Sequence, residues 1–321
     1  MACLLAPVHS FGEWPFASPA RPAGTPFTGF SDTTGPGQPS QLGQTTQPGG
    51  ADEASDRDVP LVEKPLDQLS NQTYDELGQK ALAIRPDDWR HAETDNFILH
   101  YRRVTEAKKV AREVEYDISY VATMMGAKKE QYEKKSHVFI FQDDKEWQIF
   151  LSQTKVPSWA ASFAHGDNLF LNLRSSGTPF DSRILAHETT HAVVARLFPG
   201  SHWPLWLNEG FAEYMGAASV AARKNQTIRR HEHTLNFAGM SLDQLQQLQV
   251  YPQDPVQVAQ LYETAEKLVR FIMTELPKDR FTQFVDAVVG GQNLQQALHE
   301  VYPDKLASYS DFEKKYARFS K

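Results

Sequence analysis

Apolar and polar residues follow two periods along the chain. Asn96-Phe97-Ile98-Leu99-His100-Tyr101 alternates with period two, His137-Val138-Phe139-Ile140-Phe141 is a continuous apolar run, and Asn168-Leu169-Phe170-Leu171-Asn172 follows the turn signal Gly166-Asp167. These read as strands. Between and after them the period lengthens to that of a helix: Asp67 to Ala83, Thr105 to Met125, Asp144 to Leu151, Leu242 to Leu248 and Val256 to Leu276. Phe281 to Val289, Leu294 to Val301 and Ser308 to Phe319 continue the helical pattern, closed by Gly290-Gly291 and Pro303. Strand, helix, strand, helix, strand and then helices predicts an α+β fold, a mixed sheet covered by helices. Residues 61–92 are expected to be a linker or brace helix, 93–276 the main domain and 277–321 a C-terminal helical extension.

One helix is signposted more fully than the rest. Thr178 is a suitable N-cap, Pro179 suits the first helical position, and Asp181 favours the helix N-terminus. Ile184, Leu185, Val193, Val194 and Leu197 supply apolar positions, and Phe198-Pro199-Gly200 stops the helix. Within it lies His187-Glu188-Thr189-Thr190-His191. Helical residues four apart share a face, so both imidazoles can point at one metal ion, with Glu188 beside them. Two such histidines bind zinc and the glutamate serves as general base in His-Glu-x-x-His sites.

A zinc site of this kind needs a third protein ligand and an open fourth position. Trp206-Leu207-Asn208-Glu209-Gly210-Phe211-Ala212-Glu213-Tyr214 supplies two acids in the next helical stretch. Glu209 comes 18 positions after His191, room enough for one helix to end and another to begin. Glu213, one turn on, can accept the free ring N–H of a ligating histidine. Paired acids usually mark a solvated face, but Trp206, Leu207, Phe211 and Tyr214 make this one apolar. His202 is a rival third ligand, although Ser201-His202-Trp203-Pro204 reads as the turn into the second helix.

His187 to His191 followed by Trp-Leu-Asn-Glu-Gly-Phe-Ala-Glu-Tyr resembles the gluzincin zinc metallopeptidases, in particular the peptidase-MA-like domains, and more distantly aminopeptidase N and thermolysin. The resemblance spans about residues 95 to 275, and its specific part is Ala186 to Tyr214. It implies a zincin-like fold, an active-site helix pair after the sheet, and one Zn2+ per chain held by His187, His191 and Glu209. It also implies Glu188 as base, Glu213 behind His187 or His191, and a peptide or protein substrate. Those families place an oxyanion-stabilising tyrosine on a following helix. Leu261 to Val269 is similar to that segment and nominates Tyr262, with Thr264 and Ala265 in place of the usual pair. Read from the residues alone, Tyr262 is a packed core tyrosine. The resemblance further implies that the strand before the zinc helix is the sheet edge on which substrate lies, making Phe163 to Leu171 a shelf.

Some departures narrow the reading. Ala161-Ser162-Phe163-Ala164-His165-Gly166 holds no acid to read a substrate amino terminus, so aminopeptidase action is not supported. Val194 and Leu197 stand where a metzincin needs Gly and His, and the only Cys, Cys3, lies far from the pattern. His100 and His165 read as packed or surface histidines. Two other classes stay open: a zinc-binding scaffold that holds a peptide without cleaving it, and a zinc hydrolase of a non-peptide amide.

Composition sets the remainder. Residues 1–60 hold 9 of the 19 Pro and 8 of the 18 Gly, a mixture that cannot bury enough apolar surface to order itself, and so a tether. Net charge is -7 with no basic cluster, which argues against a nucleic-acid partner. No apolar run is long enough for a transmembrane helix. Met1 to Val8 is apolar without a basic start. It fits the remnant of a signal peptide, a lipoprotein start with Cys3 as a lipid anchor, or an uninformative N-terminus. Export, whether periplasmic, secreted or lipid-anchored, is favoured over a cytoplasmic place.

Overall fold

The computed structural model describes residues 59–156, 158, 160–173, 181–228 and 239–319. All of the tether but Val59 and Pro60, with Cys3 and the apolar start, therefore lies outside the described residues. Among the described residues six strands form one sheet: β1 Val62–Glu63, β2 Arg90–Glu93, β3 Phe97–Tyr101, β4 Ser136–Phe141, β5 Ser162–His165 and β6 Asn168–Asn172. Their order is β1-β2-β3-β4-β6-β5. β3, β4 and β6 run parallel, while β1, β2 and β5 are antiparallel to their neighbours. The fold is thus mixed α+β, as the alternation of periods predicts.

Ten α-helices complete the described residues: α1 Glu76–Ala83, α2 Val104–Met124, α3 Asp144–Ser152, α4 Ser182–Leu197, α5 Leu205–Arg223, α6 Leu242–Gln247, α7 Pro255–Glu275, α8 Phe281–Val289, α9 Leu294–Val301 and α10 Tyr309–Phe319. The other long helices and the strands of the middle section start and stop within a residue or two of their expected places, whereas α4 starts at Ser182 with Asp181, not Thr178, as its cap. Asp67 to Ala83 differs. Its first part is a single 3-10 turn, Leu66–Gln68, and the α-helix starts only after Asp75, whose carboxylate accepts from the Gly78 amide at 2.6 Å.

Period two decides which face each strand residue serves. Phe97, Leu99, Tyr101, Val138, Ile140, Leu169 and Leu171 point to the main core with α2, α4, α5 and α7. Phe139, Phe141, Phe163 and Phe170 point the other way, under α1 and α3, where Phe139–Phe170 and Phe163–Phe170 stack at 4.9 Å. Residues of α8, α9 and α10 join the main core, and Phe281 stacks on Phe211 of α5 at 5.4 Å.

The edge of the sheet is not the strand that precedes α4. β6 lies between β4 and β5, so β5 is the edge. The reason is the tight Gly166 turn, with φ +56, which folds β5 back along β6 as a hairpin and places Ser162–His165 outermost. Among the described residues, no helix is long and apolar enough to cross a membrane.

Candidate metal centre

Asp181 caps α4, its carboxylate accepting from the amides of Arg183 and Ile184 at 2.9 and 3.4 Å. Thr178 and Pro179, expected at this start, lie outside the described residues. At the other end Arg196 donates to the Asn96 carbonyl at 2.9 Å and lies over the Phe97 ring. The site helix is thereby capped at its start and tied at its last turn to the head of β3. α5 comes close to it because Gly216 has no Cβ: one there would sit 2.9 Å from the Arg183 carbonyl oxygen.

This packing brings the expected groups together. His187 Nε2 and His191 Nε2 face each other at 3.1 Å. Glu209 Oε2 lies 3.5 Å from His187 Nε2, and Oε1 lies 3.5 Å from His191 Nε2. Both imidazoles turn their other nitrogen to an oxygen. Nδ1 of His187 faces Oε1 of Glu213 at 3.3 Å, and Nδ1 of His191 faces Oδ1 of Asn208 at 3.3 Å. With a carboxylate or amide oxygen facing each Nδ1, a neutral imidazole here would carry its N–H on Nδ1 and turn its Nε2 lone pair toward the other ring. Arg183 donates to the second oxygen of Glu213 at 2.6 Å.

Glu188 is also near: one atom from each of His187, Glu188 and His191 lies within 4.8 Å of the others. Its Oε1 accepts from Ser162 Oγ at 3.1 Å, so it is held from the edge strand β5 rather than from the helix pair. His187, Glu188 and Glu209 are 3, 2 and 0 % exposed. A 10 % exposed His191 side chain is the most open of the two imidazoles. His202, the rival ligand, is exposed in the turn before α5.

Electrostatics at the centre favour a cation. Burial disfavours charge on His187, yet the carboxylates of Glu209 and Glu213 outweigh it and push its pKa up to about 10. Burial raises Glu209, and the two histidines more than reverse that, holding it well below the carboxylate range. Glu213 follows the same pattern, burial opposed by His187 and Arg183, and falls to about 2. Glu188 is raised, chiefly by burial, against the lowering influence of His187 and His191. The two neighbouring carboxylates thus differ in proton affinity, the usual sign of divided roles.

The residues present fit a zinc ion. Glu209 Oε2 is buried and accepts no hydrogen bond, an expensive state for a carboxylate oxygen unless a cation meets it. Two imidazole nitrogens and one carboxylate are a known zinc donor set with a position to spare.

Tyr262 stands half-buried on α7 with its ring 6.2 Å from that of His187. A second tyrosine escaped the sequence reading. Tyr251, in the connection between α6 and α7, donates to Glu209 Oε1 at 2.5 Å, and hydrogen bonding links its hydroxyl to that of Tyr262. Nothing in Val250-Tyr251-Pro252 marks it, since the segment has no period and contact with Glu209 is across 42 positions. His100 and His165 are not isolated. His100 bonds His91 at 2.8 Å and His137 at 2.9 Å, and His165 bonds Asp75 at 2.9 Å. No protein-family description matches this chain, and it matches no curated protein.

Proposed function

We propose that the chain is a zinc-dependent peptidase of gluzincin type with a zincin-like arrangement of sheet and helix pair. The observation that carries this reading is the convergence of His187 Nε2, His191 Nε2 and the donor-less Glu209 Oε2 on one buried point. A zinc ion bound there supplies an acidified water and a Lewis acid for the scissile carbonyl. His187, His191 and Glu209 hold the ion, and Glu213 and Asn208 fix the imidazole tautomers. Glu188 takes the proton of the attacking water and passes it to the leaving amine. Ser162 orients Glu188 for this, because its hydroxyl restrains one carboxylate oxygen. Tyr262 is the candidate donor to the developing oxyanion, a contribution of about 3 kcal/mol in comparable sites.

The substrate reading rests on β5. An edge strand leaves one row of backbone N–H and C=O groups unpaired by the sheet, and an extended peptide adds to such a row. Ser162 belongs to β5 and touches Glu188, so a peptide paired along this strand runs past the base.

Glu188→Gln keeps the shape of the site and removes its proton acceptor. The expected outcome is retained zinc with turnover of a peptide library lowered about 10²–10⁴-fold. Undiminished hydrolysis in that variant would remove Glu188 from the chemistry.

A further inference from the structure

The two oxygens of Glu209 are treated differently by their surroundings. Oε1 accepts from the Tyr251 hydroxyl at 2.5 Å and from Asn208 Nδ2 at 3.4 Å. Oε2 accepts from no donor, although it is equally buried. A free carboxylate presents both oxygens and can clamp a divalent ion with either one or two. Here each oxygen lies 3.5 Å from an imidazole Nε2, Oε2 from that of His187 and Oε1 from that of His191, but Oε1 is already taken by Tyr251 and Asn208 while Oε2 is left for an ion.

We infer that Tyr251 is a positioning residue that pins Glu209 Oε1, so that Glu209 meets a metal ion through Oε2 alone. This rests on the reading of the site as a zinc centre. Binding through a single oxygen matters because two imidazoles and one oxygen leave a fourth position for water, whereas a two-oxygen clamp crowds it. Tyr251 also brings a part of the chain with no other share in the site into contact with it. The α6–α7 connection, carrying Tyr251 between α6 and the Asp254 cap of α7, reaches the ligand carboxylate of α5. Tyr262 is placed differently, beside the His187 ring rather than on the Glu209 oxygen, and it reaches the ligand only through the Tyr251 hydroxyl.

The test compares the full-length wild type with Tyr251→Phe and Tyr262→Phe. Zinc affinity is measured by competition with a coloured chelator, and the visible spectrum is recorded after loading Co2+ in place of zinc. Tyr251→Phe is expected to weaken zinc about 10–100-fold, as loss of a ligand's hydrogen-bond partner does elsewhere. Its Co2+ bands should also lose intensity, because a five-coordinate ion absorbs more weakly than a four-coordinate one. Tyr262→Phe leaves the Tyr251–Glu209 contact in place and should lose far less in both. Unchanged affinity and spectrum in Tyr251→Phe, or equal losses in both variants, would overturn the assignment. If Tyr251→Phe does not fold, Tyr262→Phe still decides: adding zinc should shift its tyrosine ultraviolet absorption through Tyr251, and no shift overturns the inference. A wild type that takes up no zinc defeats the metal-centre reading itself, which separates that failure from this one.

Discussion

Glu213 contributes through His187 rather than by direct contact with the point between the imidazoles. One oxygen faces Nδ1 of His187 at 3.3 Å, and the other is held by Arg183 at 2.6 Å. The arrangement fixes the ring's tautomer and its orientation, and a negative charge behind the imidazole makes Nε2 a better donor to a metal. Glu213→Gln keeps the shape and loses the charge. Its zinc affinity should fall about 10-fold, read by chelator competition, and an affinity equal to the wild type would show that Glu213 only packs. At this scale the sequence was informative where chemistry and spacing coincide. His187 and His191 share a face of α4 and Glu209 and Glu213 a face of α5, as their spacing of four requires, and the packing of the two helices brings the pairs together. Tyr251 and Ser162 had no such spacing, because each reaches the site through tertiary packing from a connection or an edge strand.

The helix pair works because α5 is thin on two sides. Gly216 lets it approach α4, and a Cβ on Gly210 would collide with the Ala265 backbone of α7. Glu209, next to Gly210, is carried inward by this close approach, which is why it is wholly buried. Gly210→Ala cannot be relieved by a side-chain rotation, since the obstacle is a carbonyl of a neighbouring helix. Stability should fall by about 3 kcal/mol or more, with overpacking costs of this order known for well-packed cores, seen as a lower denaturation midpoint. A variant as stable as the wild type would mean that α5 and α7 are free to separate. Helices such as α2 and α7 were legible in the sequence because each buries a continuous face, whereas α4 and α5, buried nearly all round, were marked by their stop signals and motif. Short strands were not. β1 has two residues, and β2, Arg90-His91-Ala92-Glu93, shows no apolar alternation; it forms because β3 offers it a partner. The same holds for the sheet edge, where the Gly166 turn rather than any residue pattern put β5 outside β6.

Across the whole molecule, a row of imidazoles crosses the sheet on the face away from α4. His91, His100 and His137, from β2, β3 and β4, are joined at 2.8 and 2.9 Å. Burial holds His137 down to about 4 and His100 well below its ordinary value, with like neighbours adding to the effect on His100; burial also lowers His91. The folded state therefore keeps these rings neutral at pH values where the unfolded chain protonates them. Stability should be full above pH about 6.5 and fall as pH drops toward 4, by about 1.4 kcal/mol per pH unit for each ring kept neutral. Asp117, buried against Ser219 and pushed up to about 7 chiefly by burial, works in the opposite sense between about 4 and 7. The net expectation in chemical denaturation from pH 6.5 to 5 is a loss, smaller in His100→Phe, whose ring can stack on Phe139 as the imidazole does at 4.6 Å. Stability that holds level or rises over that range would contradict it.

Together, His187, His191 and Glu209 are proposed to hold one zinc ion that supports peptide hydrolysis. The most direct measurement is metal content of the purified wild type beside Glu209→Ala, with hydrolysis of casein and a peptide library run on both. About one zinc per chain in the wild type, cleavage that a chelator stops and zinc restores, and loss of both metal and cleavage in Glu209→Ala are expected from the donor set. A wild type that takes up no zinc even after reloading, or a Glu209→Ala protein that keeps metal and cleavage, would contradict the account.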